Sequence, residues 1–167
     1  MEKSFLAVYD ANADALFRHC VARVRDREMA KDIVQETFTR TWIYLAEGKT
    51  IEYMRAFLYR TLHNLIVDTM RKKRPASLDK MQEEDDFEPA DESRDPDAMV
   101  REEMKKAVEL VHALEESYAS VITMRYIDQL SLREIADILK ISENVVSVRI
   151  HRGLKQLRSL WKSNTAV

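Results

Sequence analysis

Seven side chains near the C-terminal end, Asn144, Ser147, Val148, His151, Arg152, Lys155 and Arg158, recur at steps of three and one. That spacing places them on one arc of a helix. Asn144, Ser147 and His151 can hydrogen-bond base edges, and an apolar Val148 among cations suits a thymine methyl. Arg152, Lys155 and Arg158 lie further along and suit phosphates. Residues 142–167 carry five basic side chains against one acidic. Such a face does recognition chemistry on duplex DNA. Arg149 projects sideways, with two roles open: a phosphate contact, or a pair with Glu134.

A second set, Arg60, Asn64, Val67, Arg71 and Arg74, is spaced by four, three, four and three residues, with Phe57 and Asp68 beside it. Guanidinium groups for phosphates, an aromatic ring for stacking and a short amide for a base edge again suit nucleic acid. The same residues also fit an exposed helix end whose cations answer the negative end of the helix dipole. A third arc, Asp32, Gln35, Glu36 and Thr39, lies opposite Ile33, Val34 and Thr41. From spacing alone it is an ordinary solvated helix face.

Catalysis finds no support in the residue pattern. His19, His63, His112 and His151 are scattered, and there is no Ser-His-Asp order, phosphate-cradling glycine loop or metal-ligand spacing. The only cysteine, Cys20, falls on an apolar helix face, so no disulfide or thiolate metal cluster forms, and no metal or cofactor is expected. The first residues lack a basic start followed by an apolar run, and nothing approaches the ~18 consecutive apolar residues of a membrane span. A cytoplasmic protein without direct membrane insertion is expected.

The elements that must position these faces are helices. The chain has 167 residues, 46% hydrophobic and 34% charged, with only 2 Gly and 3 Pro, too few for a strand-and-turn architecture. Charge divides it: residues 1–74 carry 14 basic and 10 acidic side chains, whereas residues 75–98 carry 2 and 10. All three prolines fall in residues 75–98, which read as an acidic, flexible linker. Residues 99–167 return to a net charge of +2.

In the first domain, apolar residues at helical spacing predict three helices: Phe5 to Val24, Ala30 to Leu45 ending at Gly48, and Met54 to Thr69. Three helices suffice for a small bundle. In the second, Val100, Met104, Ala107, Val108, Val111 and Leu114 predict one helix, and Tyr118, Val121, Ile122 and Tyr126 another. Ser131 and Glu134 have capping-box spacing ahead of Ile135, Ala136 and Leu139. Lys140 and Ile141 make a tight turn, Ser142 caps a last helix, and Val146, Ile150, Gly153, Leu154, Leu157 and Trp161 face inward. Short helix, tight turn and second helix with a polar, basic outer face is the helix-turn-helix pattern. An ordinary pair of packed helices is the alternative.

Taken together, DIVQETF, RAFLYRTLHNLIVDTMRKKRP, the acidic linker and the terminal helix-turn-helix resemble a bacterial RNA polymerase sigma factor of the extracytoplasmic-function group. The resemblance covers nearly the whole chain and implies an all-α fold of two small domains. Residues 1–74 look like sigma domain two and residues 99–167 like sigma domain four, with the linker at 75–98. It implies that Asp32, Gln35, Glu36 and Phe38 dock on the β′ clamp helices of core RNA polymerase, with further contact to the β flap. It assigns minus-ten promoter recognition and strand opening to Phe57, Arg60, Asn64, Asp68, Arg71 and Arg74. Asn144, Ser147, Val148, Arg149, His151, Arg152 and Lys155 would read the minus-thirty-five element. An anti-sigma factor, often membrane-anchored in this group, is the expected regulator.

Two other classes compete: a regulator that binds duplex DNA without polymerase, and a helical protein that sequesters a partner. Three departures from the family pattern stand out. Phe57 replaces a common tryptophan, Lys140 replaces the usual glycine of the turn, and Gly153 replaces a usual alanine. On helix propensity, Gly153→Ala is expected to stabilise the fold by about 1 kcal/mol.

Overall fold

A computed structural model describes residues 2–73 and 97–165. The acidic segment up to residue 96, and Arg74 with it, lie outside the described residues. Seven helices follow in order: α1 (Glu2–Val24), α2 (Arg27–Ala46), α3 (Met54–Lys73), α4 (Asp97–His112), α5 (Glu116–Ile122), α6 (Leu132–Leu139) and α7 (Glu143–Thr165). A single π turn, Thr123–Ile127, extends α5. No strand occurs among the described residues, and no helix is long and apolar enough to cross a membrane. Helix α4 starts at Asp97, two residues ahead of the expected second domain.

Helices α1 to α3 form the first bundle. Between α1 and α2 the chain turns at Arg25 (φ 57°), and Asp26 caps α2 by accepting from the Met29 N–H at 2.9 Å. Helix α2 ends as expected, with Gly48 at φ 80° just beyond it. Leu16, Cys20, Ala30, Ile33, Val34, Leu58, Leu62 and Ile66 fill the core. Thr37 and Thr41 are fully buried, and their hydroxyls donate to the carbonyls of Ile33 and Thr37, so neither is left unpaired. Burial pushes the Cys20 thiol up to about 12, as befits a small core residue and not a nucleophile.

Helices α4 to α7 form the second. The expected helix through Tyr126 is present, its last turn widened to the π turn: Asp128 N–H reaches Thr123 O, Leu130 N–H reaches Met124 O, and the chain leaves at Gln129 (φ 55°). Tyr126 on this turn and Met104 on α4 both lie on the surface, 56% and 64% exposed. Val111, Leu114, Val121, Ile122, Ile135, Ala136, Val146 and Ile150 are buried together. Trp161, expected to face inward, is about one-third exposed. The two bundles touch: α3 packs on α6, and α1 on the π turn.

Candidate nucleic-acid interface

The turn that presents α7 is fixed locally. The Ser131 hydroxyl accepts from the Glu134 N–H at 3.2 Å, while the Glu134 carboxylate accepts from the Ser131 N–H at 2.8 Å. The bond from the Ser131 backbone N–H to the carboxylate holds Glu134 below the usual carboxylate range. Lys140 ends α6 in the left-handed region (φ 57°, ψ 42°), and the Ser142 hydroxyl accepts from the Val145 N–H at the start of α7. Val146 and Ile150 then anchor α7 inward.

Its outer face is open. Asn144, Ser147, Val148, His151, Arg152, Lys155 and Arg158 are all exposed, and Val148 is 40% exposed among the cations. Arg149 is half-buried. Among the described residues Glu134 is engaged by Ser131 and approached by Arg55 at 3.8 Å, so the Arg149–Glu134 pair is not formed.

The surroundings of Gly153 oppose the gain expected from helix propensity. A Cβ there would stand 2.7 Å from Ile122 Cδ1 and 3.1 Å from Tyr118 Cβ, because α5 crosses α7 at this point. To admit alanine, the end of the Ile122 side chain must move aside and Tyr118 must give by a few tenths of an ångström.

On α3, Asn64, Asp68 and Arg71 are exposed, with Arg71 Nη2 donating to Asp68 at 3.1 Å. Phe57 is half-buried, its ring tilted against Tyr44 at 4.9 Å. Arg60 differs from its neighbours: it is partly buried, and Nη2 donates to the Asp137 carbonyl of α6 at 3.1 Å. Tyr53, 71% exposed in the loop entering α3, is a stacking surface that residue spacing does not reveal, since it sits between periodic segments.

Along α2, Asp32, Gln35 and Thr39 are exposed and Glu36 is half-buried, accepting from Arg40 Nε at 2.7 Å. Phe38 is only 4% exposed and packs on Tyr9, with ring centroids 4.6 Å apart. It floors a groove of about 690 Å³ between α1 and α2, whose lining includes Phe5, Tyr9, Phe17, Gln35 and Trp42. Tyr9 and Trp42, both at apolar helical positions, are 44% and 36% exposed along it.

Comparison with known proteins ties these faces to one lineage. Residues 8–76 match the Sigma-70 region 2 family and residues 104–157 the Sigma-70, region 4 family. SigW of Bacillus subtilis, an ECF RNA polymerase sigma factor, is 31% identical over 94% of this chain and 88% of its own length. SigL of Mycobacterium tuberculosis, another, is 28% identical over 91% and 85%. Among solved structures, the sigma factor RpoE of Bartonella quintana, crystallised with the anti-sigma factor NepR, has the same fold. Its TM-score is 0.76, at 20% identity over 96% of this chain and 98% of that one. CnrH, solved with the cytosolic domain of CnrY, gives 0.73 at 21% identity over 98% and 90%. With both regions present in order and the likeness to SigW running nearly end to end, the chain belongs to the extracytoplasmic-function sigma factors and serves transcription initiation.

Proposed function

We propose that this chain docks on core RNA polymerase, brings it to promoters carrying defined minus-ten and minus-thirty-five elements, and helps to open them. The observation that carries the proposal is the outer face of α7, wholly exposed on a doubly capped turn, with base-reading groups first and cations behind. A rigid frame under such a face is what major-groove readout needs. Asn144, Ser147, Val148 and His151 read base edges, while Arg152, Lys155 and Arg158 hold phosphates, with Arg149 at the margin.

In this reading Asp32, Gln35 and Glu36 form the docking face for the β′ clamp helices, and Phe38 shapes it from beneath. Domain four meets the β flap. Phe57, Arg60, Asn64, Asp68, Arg71 and Arg74 engage the minus-ten element, and a pocket that binds an extruded base lowers the cost of unstacking it. The acidic residues 75–98 suit a positively charged channel of the polymerase. An anti-sigma factor, soluble or membrane-anchored, would act by covering the docking face. Polymerase supplies the catalysis.

Run-off transcription with bacterial core polymerase and a pooled promoter library tests this, with core alone as control. New, defined transcripts are expected, and they disappear when Asp32→Ala and Glu36→Ala are combined. Failure to co-elute with core would replace the proposal by a stand-alone DNA-binding regulator.

A further inference from the structure

The open face of α7 carries apolar surface that the fold does not use. Val145 and Val148 are 38% and 40% exposed, whereas Val146 between them is fully buried and does the anchoring. β-Branched residues are weaker helix formers than Ala, Lys or Glu. Two of them on the solvent side of a helix therefore cost stability and return none through the core. Spacing groups Val148 with the polar arc and leaves Val145 out of it.

Position turns this pair into a reader. Steps of three and four put Val145, Val148 and Arg152 in one row along α7, beside Asn144 and Ser147. The row begins at the helix N-terminus, the part of a recognition helix that meets base edges. There the Val145 N–H donates to the Ser142 hydroxyl at 3.2 Å, which fixes the backbone of the first turn. In a helix a valine side chain keeps essentially one rotamer, so these methyl groups lose little freedom on binding.

The same stretch lacks the usual polar means of reading guanine. No Lys or Arg precedes Arg149 on α7, so the bidentate contact that such side chains make to guanine is missing from its first turn and a half. The one charged residue before it, Glu143, opens the helix and answers the positive end of its dipole. The apolar group that a base pair presents in the major groove is the C5 methyl of thymine. Side chains at i and i+3 stand about 5–6 Å apart. Base pairs rise about 3.4 Å and turn at each step, so the methyl groups of two neighbouring A·T pairs lie within reach of both valines.

We infer that Val145 and Val148 are specificity-determining residues that bury the methyl groups of thymines on two neighbouring A·T pairs of the minus-thirty-five element. This rests on the promoter-reading assignment of α7 and names what that face selects. Direct contact of this kind differs from readout of duplex shape, in which an A·T-rich tract is chosen by its groove width and no side chain meets a methyl.

Deoxyuridine in place of thymidine removes the methyl and leaves the hydrogen-bonding groups of the base intact, so it isolates the contact. Holoenzyme assembled from bacterial core polymerase and the full chain is titrated by filter binding on a promoter recovered from the run-off library, each thymidine of its minus-thirty-five element being replaced in turn. Two neighbouring pairs are expected to lose about fourfold in affinity each. Val145→Ala should abolish the sensitivity at one of them and Val148→Ala at the other. Both variants fold, since alanine is the better helix former at an exposed site. Undiminished binding to every substituted element overturns the methyl contact, as does an element without neighbouring A·T pairs. Sensitivity that persists in both variants overturns the assignment to the valines. A library that yields no transcript condemns instead the promoter-reading assignment, and the methyl contact falls with it.

Discussion

The two faces assigned to DNA are held in opposite ways. That of α7 is framed within some 20 residues, by the Ser131–Glu134 capping box, the left-handed Lys140 and the inward anchors Val146 and Ile150, and it stands fully open. That of α3 is framed by a bundle but touched from outside, with Arg60 bonded to the Asp137 carbonyl of α6. A local frame keeps a reading helix ready, whereas one that leans on a distant segment depends on where that segment lies. The difference is testable, because the two frames should fail under different perturbations.

The largest expected effect is of pH, and it acts on the side held by distant contacts. Burial, then the nearby His19 and Arg23, lowers His63 to about 4; burial, then Arg25 and Arg23, lowers His112 to about 4. Both stay neutral when folded, while in the unfolded chain they titrate near 6.5. As pH falls through 6.5 the unfolded state binds more protons, so stability is full above that value and declines toward pH 4. The loss is on the order of 2 kcal/mol per histidine near the lower end. Thermal melts between pH 7 and 4.5 check it, and His63→Gln should flatten the curve. An unchanged slope in that variant would remove His63 from the account.

Next comes Gly153→Ala, which attacks the local frame. Alanine helps an isolated helix, but here its Cβ meets Ile122 and Tyr118, and overpacking costs about 1–3 kcal/mol. A melting temperature lower by several degrees is expected, with weaker promoter binding because α7 shifts on α5. Trimming the obstacle by Ile122→Val in the same chain should restore part of the loss, and an unaltered melting point would show that α5 and α7 have room to spare.

What could be read from the residues alone follows the same division. Helices α2, α3, α6 and α7, the capping box and the Lys140 turn are local patterns, and the 3.6-residue period or a fixed offset reveals them. Asp128 meets His19 and Tyr59, 109 and 69 positions away, and the Gly153 contact joins residues 31 and 35 apart. Such meetings leave no periodic trace. His19 is the instructive case: in the sequence it is one of four scattered histidines, yet it is buried at 1% exposure and its partner Asp128 belongs to the other bundle.

A smaller effect separates two arginines of the same charge. Arg152→Ala removes an exposed cation from an open face, so promoter affinity should fall about tenfold and the slope of log affinity against log salt should flatten by about one. Arg60→Ala removes a cation already bonded to the Asp137 carbonyl, so under the proposed reading its loss should be the smaller. Filter binding of the holoenzyme across a salt series measures both. Equal losses would mean that Arg60 is no more restrained than Arg152, and the contrast between the faces would dissolve.

The smallest prediction concerns Lys140. Its backbone sits at φ 57°, ψ 42°, where a side chain bearing a Cβ is strained by about 1 kcal/mol and glycine is not. Lys140→Gly relieves that strain but frees the unfolded chain, which has more conformations to lose when the residue is a glycine. The two terms oppose each other, and relief wins because the left-handed geometry is enforced by the Ile141 N–H bond back to the Ala136 carbonyl, which closes the helix end. A gain of some tenths to about 1 kcal/mol is expected in denaturant melts, with promoter affinity unchanged. Should that affinity change as well, the strain at Lys140 would be setting the pose of α7 and not only closing α6.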